Sequence, residues 1–334
     1  MAVSRSSSTG KHVDTSDKLN PLAVFQYVPA SPKLLGTLRR LNAMLSTYSG
    51  VDRSMMLVQY ASPLVALLVM KASALRRQLQ AGQVKSASSS AAVSSAKAVA
   101  IGNSLKILSS KISDARMLGR FFGLLPIIAW LFSLEQKSEG AEQAPATLQS
   151  RIVKNVQRVQ AWSMMAYYPL EHAYYLSANG IINLAATKRL QAILWACRAW
   201  GVYTFLQLYL QSVQARTLSA QMKDIAIKRA QIGSHDAKTS AAHMREKDQS
   251  KVDTGEILEE ASNAVEDATL VMQERECLQQ GRTLVNGIMT NIAYVPMTIH
   301  WSLEQGLFKN EIWSSVFMTI AAISGLHANW VATR

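Results

Sequence analysis

The chain reads as an all-α integral membrane protein, built of amphipathic helices and carrying a C-terminal transmembrane helix. Ile312 to Thr333 contains no ionisable side chain other than His327, and as a helix it is long enough to cross a hydrocarbon core of roughly 30 Å. Trp313 and Trp330 stand near its ends, where indoles favour the lipid interface, and Ala321, Ser324, Gly325 and Ala328 have the spacing that lets helices approach closely. The second observation is periodicity. After residue 32 apolar side chains recur at helical intervals, and nothing beyond a few residues alternates with period two. The third is composition: 49% of residues are hydrophobic against 17% charged.

The formal charge of +13 is unevenly placed, since residues 214–282 hold 12 of the 22 acids but only 10 of the 35 bases. The apolar remainder is therefore strongly basic, which suits nucleic acid or anionic membrane lipid. No zinc-finger spacing, RNP-like aromatic motif or basic-region zipper is present, so lipid is the expected partner and nucleic acid is not. Two cysteines, Cys197 and Cys277, exclude a disulfide framework and any Cys-based metal site. The first twenty residues are polar and Ser-rich, with no apolar h-region and few arginines, and the C-terminal Ala332-Thr333-Arg334 is not a peroxisomal matrix address of the Ser-Lys-Leu type. Targeting is expected to be internal.

The elements follow in order. Residues 1–32 form a polar, disordered tail closed by Pro29 and Pro32, and residues 33–213 a helical membrane-associated region. Its first helix, Lys33 to Leu45, puts Leu34, Leu38, Leu41 and Leu45 on one face with Arg39 and Arg40 opposite; that leucine face is suited to pairing copies. A second helix starts after Gly50 with Asp52 as N-cap, and its apolar run, Met55 to Met70, is marginal for spanning because Gln59 and Pro63 interrupt it. Ser86 to Ala98 reads as a connector or a helix of low amphipathicity. Phe121 to Leu134 is short for a span and reads as a buried or half-inserted hairpin, followed by a polar loop, Glu135 to Thr147. Two more helices cover Leu148 to Leu176 and Leu190 to Gln211, the latter with Arg198 as its one formal charge, costly in a bilayer unless it snorkels or pairs. Residues 214–282 read as a charged helical insertion or linker. Residues 283–334 return to apolar character, break at Pro296 and end in a transmembrane helix at about 312–331, the one run that clearly meets the spanning length.

Between Lys97 and Leu118 lies the stretch best suited to a mechanism. At 100° per residue, Ile101, Leu105, Leu108, Ile112 and Ala115 share one stripe, with Asn103, Lys106, Ser110 and Asp114 opposite. Lys111 and Arg116 flank the stripe, where aliphatic stems lie along apolar surface and charges reach phosphate. The same pattern suits a core helix, and periodicity alone leaves both readings open.

No phosphate loop, HExxH, CxxC, GxSxG or kinase constellation occurs. Glu171 and His172 are adjacent and so point about 100° apart on a helix, which makes a packed histidine the expectation rather than an acid–base pair. No enzyme activity, cofactor or metal is expected.

Four stretches in order carry a resemblance to a known family. They are Asp52-Arg53 with Leu57-Val58-Gln59-Tyr60; Leu108 to Phe121, containing Ser113-Asp114-Ala115-Arg116-Met117-Leu118-Gly119-Arg120; Tyr168-Pro169-Leu170-Glu171-His172-Ala173-Tyr174-Tyr175; and Val295-Pro296 with Gly306-Leu307 and the closing span. Together, over residues 33–331, they resemble the peroxin 11 family of peroxisomal membrane proteins, and the charged insertion suggests a divergent, fungal gamma-like branch. The resemblance implies a protein of the peroxisomal membrane that elongates the organelle before division. It implies homo-oligomers, a dynamin-type division GTPase with its membrane adaptors as partners, and an import receptor for peroxisomal membrane proteins. It also implies that the helix at about 97–118 enters one leaflet, which makes Ile101, Leu105, Lys106, Leu108, Lys111, Ile112 and Arg116 the candidate lipid-binding residues. A metabolite channel and a structural tether in another organelle membrane are the alternatives.

Overall fold

The computed structural model describes residues 31–81, 88–139, 147–245 and 254–333, and the regular elements among them are all helical. In chain order these are α1 (Pro32–Leu45), α2 (Tyr48–Ala81), α3 (Ser88–Gly119), a 3-10 turn (Arg120–Gly123), α4 (Leu124–Glu139), α5 (Leu148–Ala178), α6 (Ala186–Arg245), α7 (Thr254–Ser302) and α8 (Ile312–Ala332). The expected polar tail, residues 1–32, falls outside the described residues up to residue 30. The expected loop at 135–147 is partly helix, because α4 runs on to Glu139.

In space the helices follow the order α3, α2, α8, α7, α6, α5, α4, and the 3-10 turn touches α3, α4 and α5. Neighbours run antiparallel. Asp52 of α2 faces Arg116 of α3 while Met70 faces Gly102, and Ser49 of α2 meets Asn329 of α8 while Arg53 meets Gly325. On the other side Gly201 of α6 packs on Thr298 of α7 while Gln211 bonds Asn291, and Gln160 of α5 bonds Gln207 of α6.

Burial is arranged as a bilayer demands rather than as water demands. One core cluster gathers Met56, Ala293, Met297, Met318, Ala321 and Ala322, and a second Met164, Tyr167 and Ala196. Beside them the interior holds Gln59, Ser62, Gln160, Glu171, Thr204, Gln211, Thr290, Asn291 and Thr298, while Leu68, Leu75, Phe122, Leu125, Phe132, Trp162 and Ile323 are exposed. Gln59, Gln160, Glu171, Gln211 and Asn291 bond to other elements, while Ser62, Thr204, Thr290 and Thr298 bond carbonyls of their own helices; satisfied polar groups inside and apolar side chains facing out are the signature of a helical bundle in lipid. Glycines leave room for side chains of the neighbouring helix: a Cβ on Gly102 would come within 2.9 Å of the Met70 sulfur, and one on Gly325 within 2.7 Å of Arg53 Nη1.

Among the described residues three helical segments are long and apolar enough to cross a membrane: Tyr48–Leu79, Ala96–Gln136 and Ile312–Ala332. The sequence reading singles out only the third, and the structure adds two. α2 continues through Gln59 and Pro63, which the apolar run alone treats as interruptions. Helix interiors in bilayers accept proline when neighbours re-satisfy the freed groups, and here Pro63, Pro169 and Pro296 all lie inside helices. The break expected at Pro296 is absent: α7 runs through it from Thr254 to Ser302. Asp52 is likewise not the N-cap of α2; Thr47 Oγ1 accepts from the Gly50 N–H instead, at 3.0 Å, and Asp52 points into the bundle.

The apolar helix expected at 190–211 extends to Arg245. Residues 214–245 continue α6, and residues 254–282 open α7. They pair through Ile225, Leu270 and Cys277, packed on by Leu218, Met222 and Ile232. Arg229 reaches Asp267 at 3.0 Å and Glu274 at 2.8 Å, and these exposed carboxylates hold its guanidinium above its ordinary pKa. With Gln160 beside Gln207 and Asn286 beside His327, the register ends α5 and α8 near Leu218 and Gly281. Beyond that level α6 and α7 run on as a two-helix arm whose 30 or so residues measure roughly 45 Å.

Trp313 and Trp330 lie 17 residues apart on α8, a rise of roughly 26 Å, which matches a hydrocarbon core. At the Trp313 end, Trp313, Phe308 and Phe317 form one aromatic cluster and Trp200 and Trp301 another, with rings 5.8 to 6.3 Å apart. The α7–α8 corner there is held by His300, whose Nδ1 accepts from the backbone N–H groups of Leu307 (2.7 Å) and Phe308 (3.1 Å), and by Gly306 at φ +66°. Arg198 donates to the Ser302 carbonyl at 3.3 Å and lies over the Trp195 ring, so it reaches the same end of the bundle.

Candidate functional site

The first three stretches that carry the family resemblance converge on one polar cluster. α2 supplies Asp52 and Gln59, α3 supplies Arg116, the 3-10 turn supplies Arg120, and α5 supplies Tyr167 and Glu171. Arg116 is 7% exposed. Its Nε donates to Asp52 Oδ1 at 2.8 Å, its Nη2 to Asp52 Oδ2 at 3.1 Å, and its Nη1 to Gln59 Oε1 at 2.7 Å. This two-pronged grip is the geometry a planar guanidinium makes with a carboxylate.

One turn later, Arg120 donates to the Tyr167 hydroxyl at 2.8 Å and pairs with Glu171 Oε1. Tyr167 in turn donates to the same carboxylate oxygen at 2.7 Å. Glu171 Oε2 and His172 Nε2 are buried without a hydrogen-bond partner.

The turn between α3 and α4 is clamped from both sides. A Cβ on Gly123 would come within 2.6 Å of the Tyr168 ring, and one on Gly119 would touch the Tyr48 hydroxyl at 3.6 Å. Phe121 stacks on His172 with ring centroids 4.0 Å apart and planes 13° apart. His172 is thus a packing residue, and Glu171 an ion-pair partner on a different side of α5.

The candidate lipid-binding residues divide into three groups. Ile101 (51%) and Leu108 (44%) are exposed, as are Lys106 and Lys111; Leu105 and Ile112 are half-buried. Arg116 is turned inward and its charge is spent on Asp52 and Gln59, so the structure gives it an anchoring place in the bundle rather than an outward one. The stripe divides because α3 meets α2 through a different row, Ala98, Gly102, Ser109 and Arg116, in which Gly102 faces Met70 and Ala66 and Ser109 donates to the Gln59 carbonyl at 2.7 Å. The signal for this row was present as small residues at helical spacing, but apolar periodicity passes over Gly and Ser. It also passed over Ile107, the most exposed bulky residue of this stretch at 62%. Among the described residues no group of three His, Cys, Asp or Glu side chains is placed to hold a metal ion.

Neither the curated proteins nor the solved structures yield a match to this chain. The family model described as Peroxisomal biogenesis factor 11 (PEX11), a family of biogenesis factors rather than of enzymes, matches residues 38–330, which takes in every member of the polar cluster, so that the chain belongs to that family.

Proposed function

We propose that this protein resides in the peroxisomal membrane and promotes elongation of that membrane ahead of peroxisome division, by inserting apolar side chains of α3 into one leaflet. The observation that carries this reading is the inversion of α3: small and polar residues face α2, while Ile101, Ile107 and Leu108 face outward beside Lys106 and Lys111. α3 runs antiparallel along α2, so it enters the bilayer beside α2 rather than lying flat; its outward isoleucines and leucine, close to the Met70 end of that pair, crowd the leaflet they enter while Lys106 and Lys111 extend toward anionic headgroups. The Asp52–Arg116 and Arg120–Glu171 pairs hold the end of α3 against α2 and α5, so the wedge is fixed to its anchor. Curvature requires many copies, hence homo-oligomers, and division requires a dynamin-type GTPase with its membrane adaptors. Delivery falls to the import receptor for peroxisomal membrane proteins.

The test is a tagged Ile101→Asp, Leu108→Asp protein in cells whose peroxisomes elongate on expression of the unmodified chain. The variant is expected to reach peroxisomes and resist carbonate extraction, yet leave them round. Elongation equal to that of the unmodified protein would sink the wedge, and labelling of another organelle would sink the site of action.

A further inference from the structure

Among the described helices α1 is the most cleanly divided. Leu34, Leu38, Leu41 and Leu45 fall within about 60° of one another at 100° per residue, and all four are exposed. Met44, by contrast, is buried against the bundle, and Arg40 reaches away from the leucines to α8. No acidic residue occurs between Pro32 and Leu45, and Lys33 and Arg39 are exposed.

Its placement is built in at both ends. The corner between α1 and α2 takes two residues, Ser46 and Thr47, and a Cβ on Gly50 would overlap the Met44 carbonyl oxygen. Only glycine at 50 lets the end of α1 close down on the start of α2. In the middle of α1, Arg40 donates to the Trp330 carbonyl at 2.9 Å and to Thr333 Oγ1 at 3.4 Å, and its guanidinium lies 4.2 Å from the Trp330 ring centroid. A helix turned off the first residues of α2 and bonded at its midpoint to the last turn of α8 lies across the end of that antiparallel pair, at the level of Trp330. That level is the membrane interface if α8 spans.

We propose that α1 is a second lipid-contacting element, lying in the interfacial plane at the C-terminal end of α8 with its leucine row in the acyl chains and Lys33 and Arg39 at anionic headgroups. This rests on the reading of α8 as a span. Lipid rather than a second copy is the occupant because Lys33 and Arg39, turned about 110–130° from the row at 100° per residue, suit headgroups while the leucines enter acyl chains, because α1 carries no acid to pair those bases in another copy, and because the row continues the surface of an element already at the interface.

The test uses the full-length chain with Cys197→Ser and Cys277→Ser, reconstituted in vesicles of phosphatidylcholine and phosphatidylserine, with an environment-sensitive fluorophore on Leu38→Cys, Arg39→Cys or Ile320→Cys. Leu38→Cys is expected to show blue-shifted emission, quenching by spin-labelled lipid and protection from iodide, and Arg39→Cys the reverse. Ile320→Cys, exposed in the middle of α8, is the control for the span. If Ile320→Cys is quenched by lipid and Leu38→Cys by iodide, α1 is in water and the proposal is wrong while the span stands. Lipid quenching at neither position overturns the span itself. Efficient disulfide cross-linking at Leu38→Cys between copies, without lipid quenching, assigns the row to a dimer and also overturns the proposal.

Discussion

Arg116 closes both oxygens of Asp52 in a two-pronged pair at 2.8 and 3.1 Å, across 64 residues of sequence. Its third bond, to Gln59, ties the end of α3 to a full two turns of α2. Breaking a buried pair by removing one partner leaves an uncompensated charge and costs about 3–5 kcal/mol, whereas replacing both with apolar groups is far milder. Arg116→Leu is therefore expected to destabilise the protein in detergent by about that amount, and Asp52→Leu with Arg116→Leu to recover most of it. Thermal unfolding of the four members of this cycle gives the coupling energy. Additive single effects would show that the two residues do not act as a pair.

The three candidate spans change what a truncation should do. From the apolar runs alone, removing everything after residue 310 should free the protein from the membrane, because α8 is the one clear span in the sequence. With α2 continuous from Tyr48 to Ala81, the truncated chain is expected to remain carbonate-resistant and to float with lipid on a density gradient. Release into the soluble fraction would show that α2 does not cross.

The helical class, the first helix and the terminal span were legible because apolar periodicity and length report them directly. The true lengths of α2, α6 and α7 were not. Pro63, Pro296 and the charges after Gln211 look like stops along the sequence, yet a bilayer tolerates interior proline, and α6 and α7 stay paired beyond the bundle through Ile225, Leu270 and Cys277. The polar cluster was half legible: Asp52, Arg116 and Glu171 all lie in the motif stretches, but no local pattern says that residues 64 and 51 positions apart meet. Arg116 was misplaced because a basic residue on the flank of an apolar stripe looks the same whether it reaches phosphate or a buried carboxylate.

The arm formed by residues 218–245 and 254–281 has a small apolar seam around Ile225, Leu270 and Cys277 and exposed ion pairs along it. It extends past the ends of α5 and α8, so the bundle does not depend on it. Replacing residues 222–276 with a short Gly/Ser linker is expected to leave membrane association and peroxisomal delivery intact. Loss of delivery would locate a receptor-binding surface on the arm. Arg229→Ala alone is expected to leave the unfolding midpoint nearly unchanged, as exposed ion pairs contribute little; a clear drop would mean the pair network is what holds the arm together.

Cys197 reports on the packing of α6 against the polar cluster. The residue is only 7% exposed, and a thiol closed off in apolar surroundings reacts slowly, because neither the reagent nor a solvated thiolate, the nucleophilic form, is accommodated there. In a Cys277→Ser background, Cys197 in the folded protein is expected to resist maleimide at pH 7.5 for hours and to react within minutes after denaturation. Arg116→Leu, which frees the end of α3 without touching Cys197, is expected to raise the labelling rate if the cluster keeps α5 and α6 together. Fast labelling of the unmodified bundle would mean that the Cys197 face of α6 is turned outward and that the core around Met164, Tyr167 and Ala196 is packed differently.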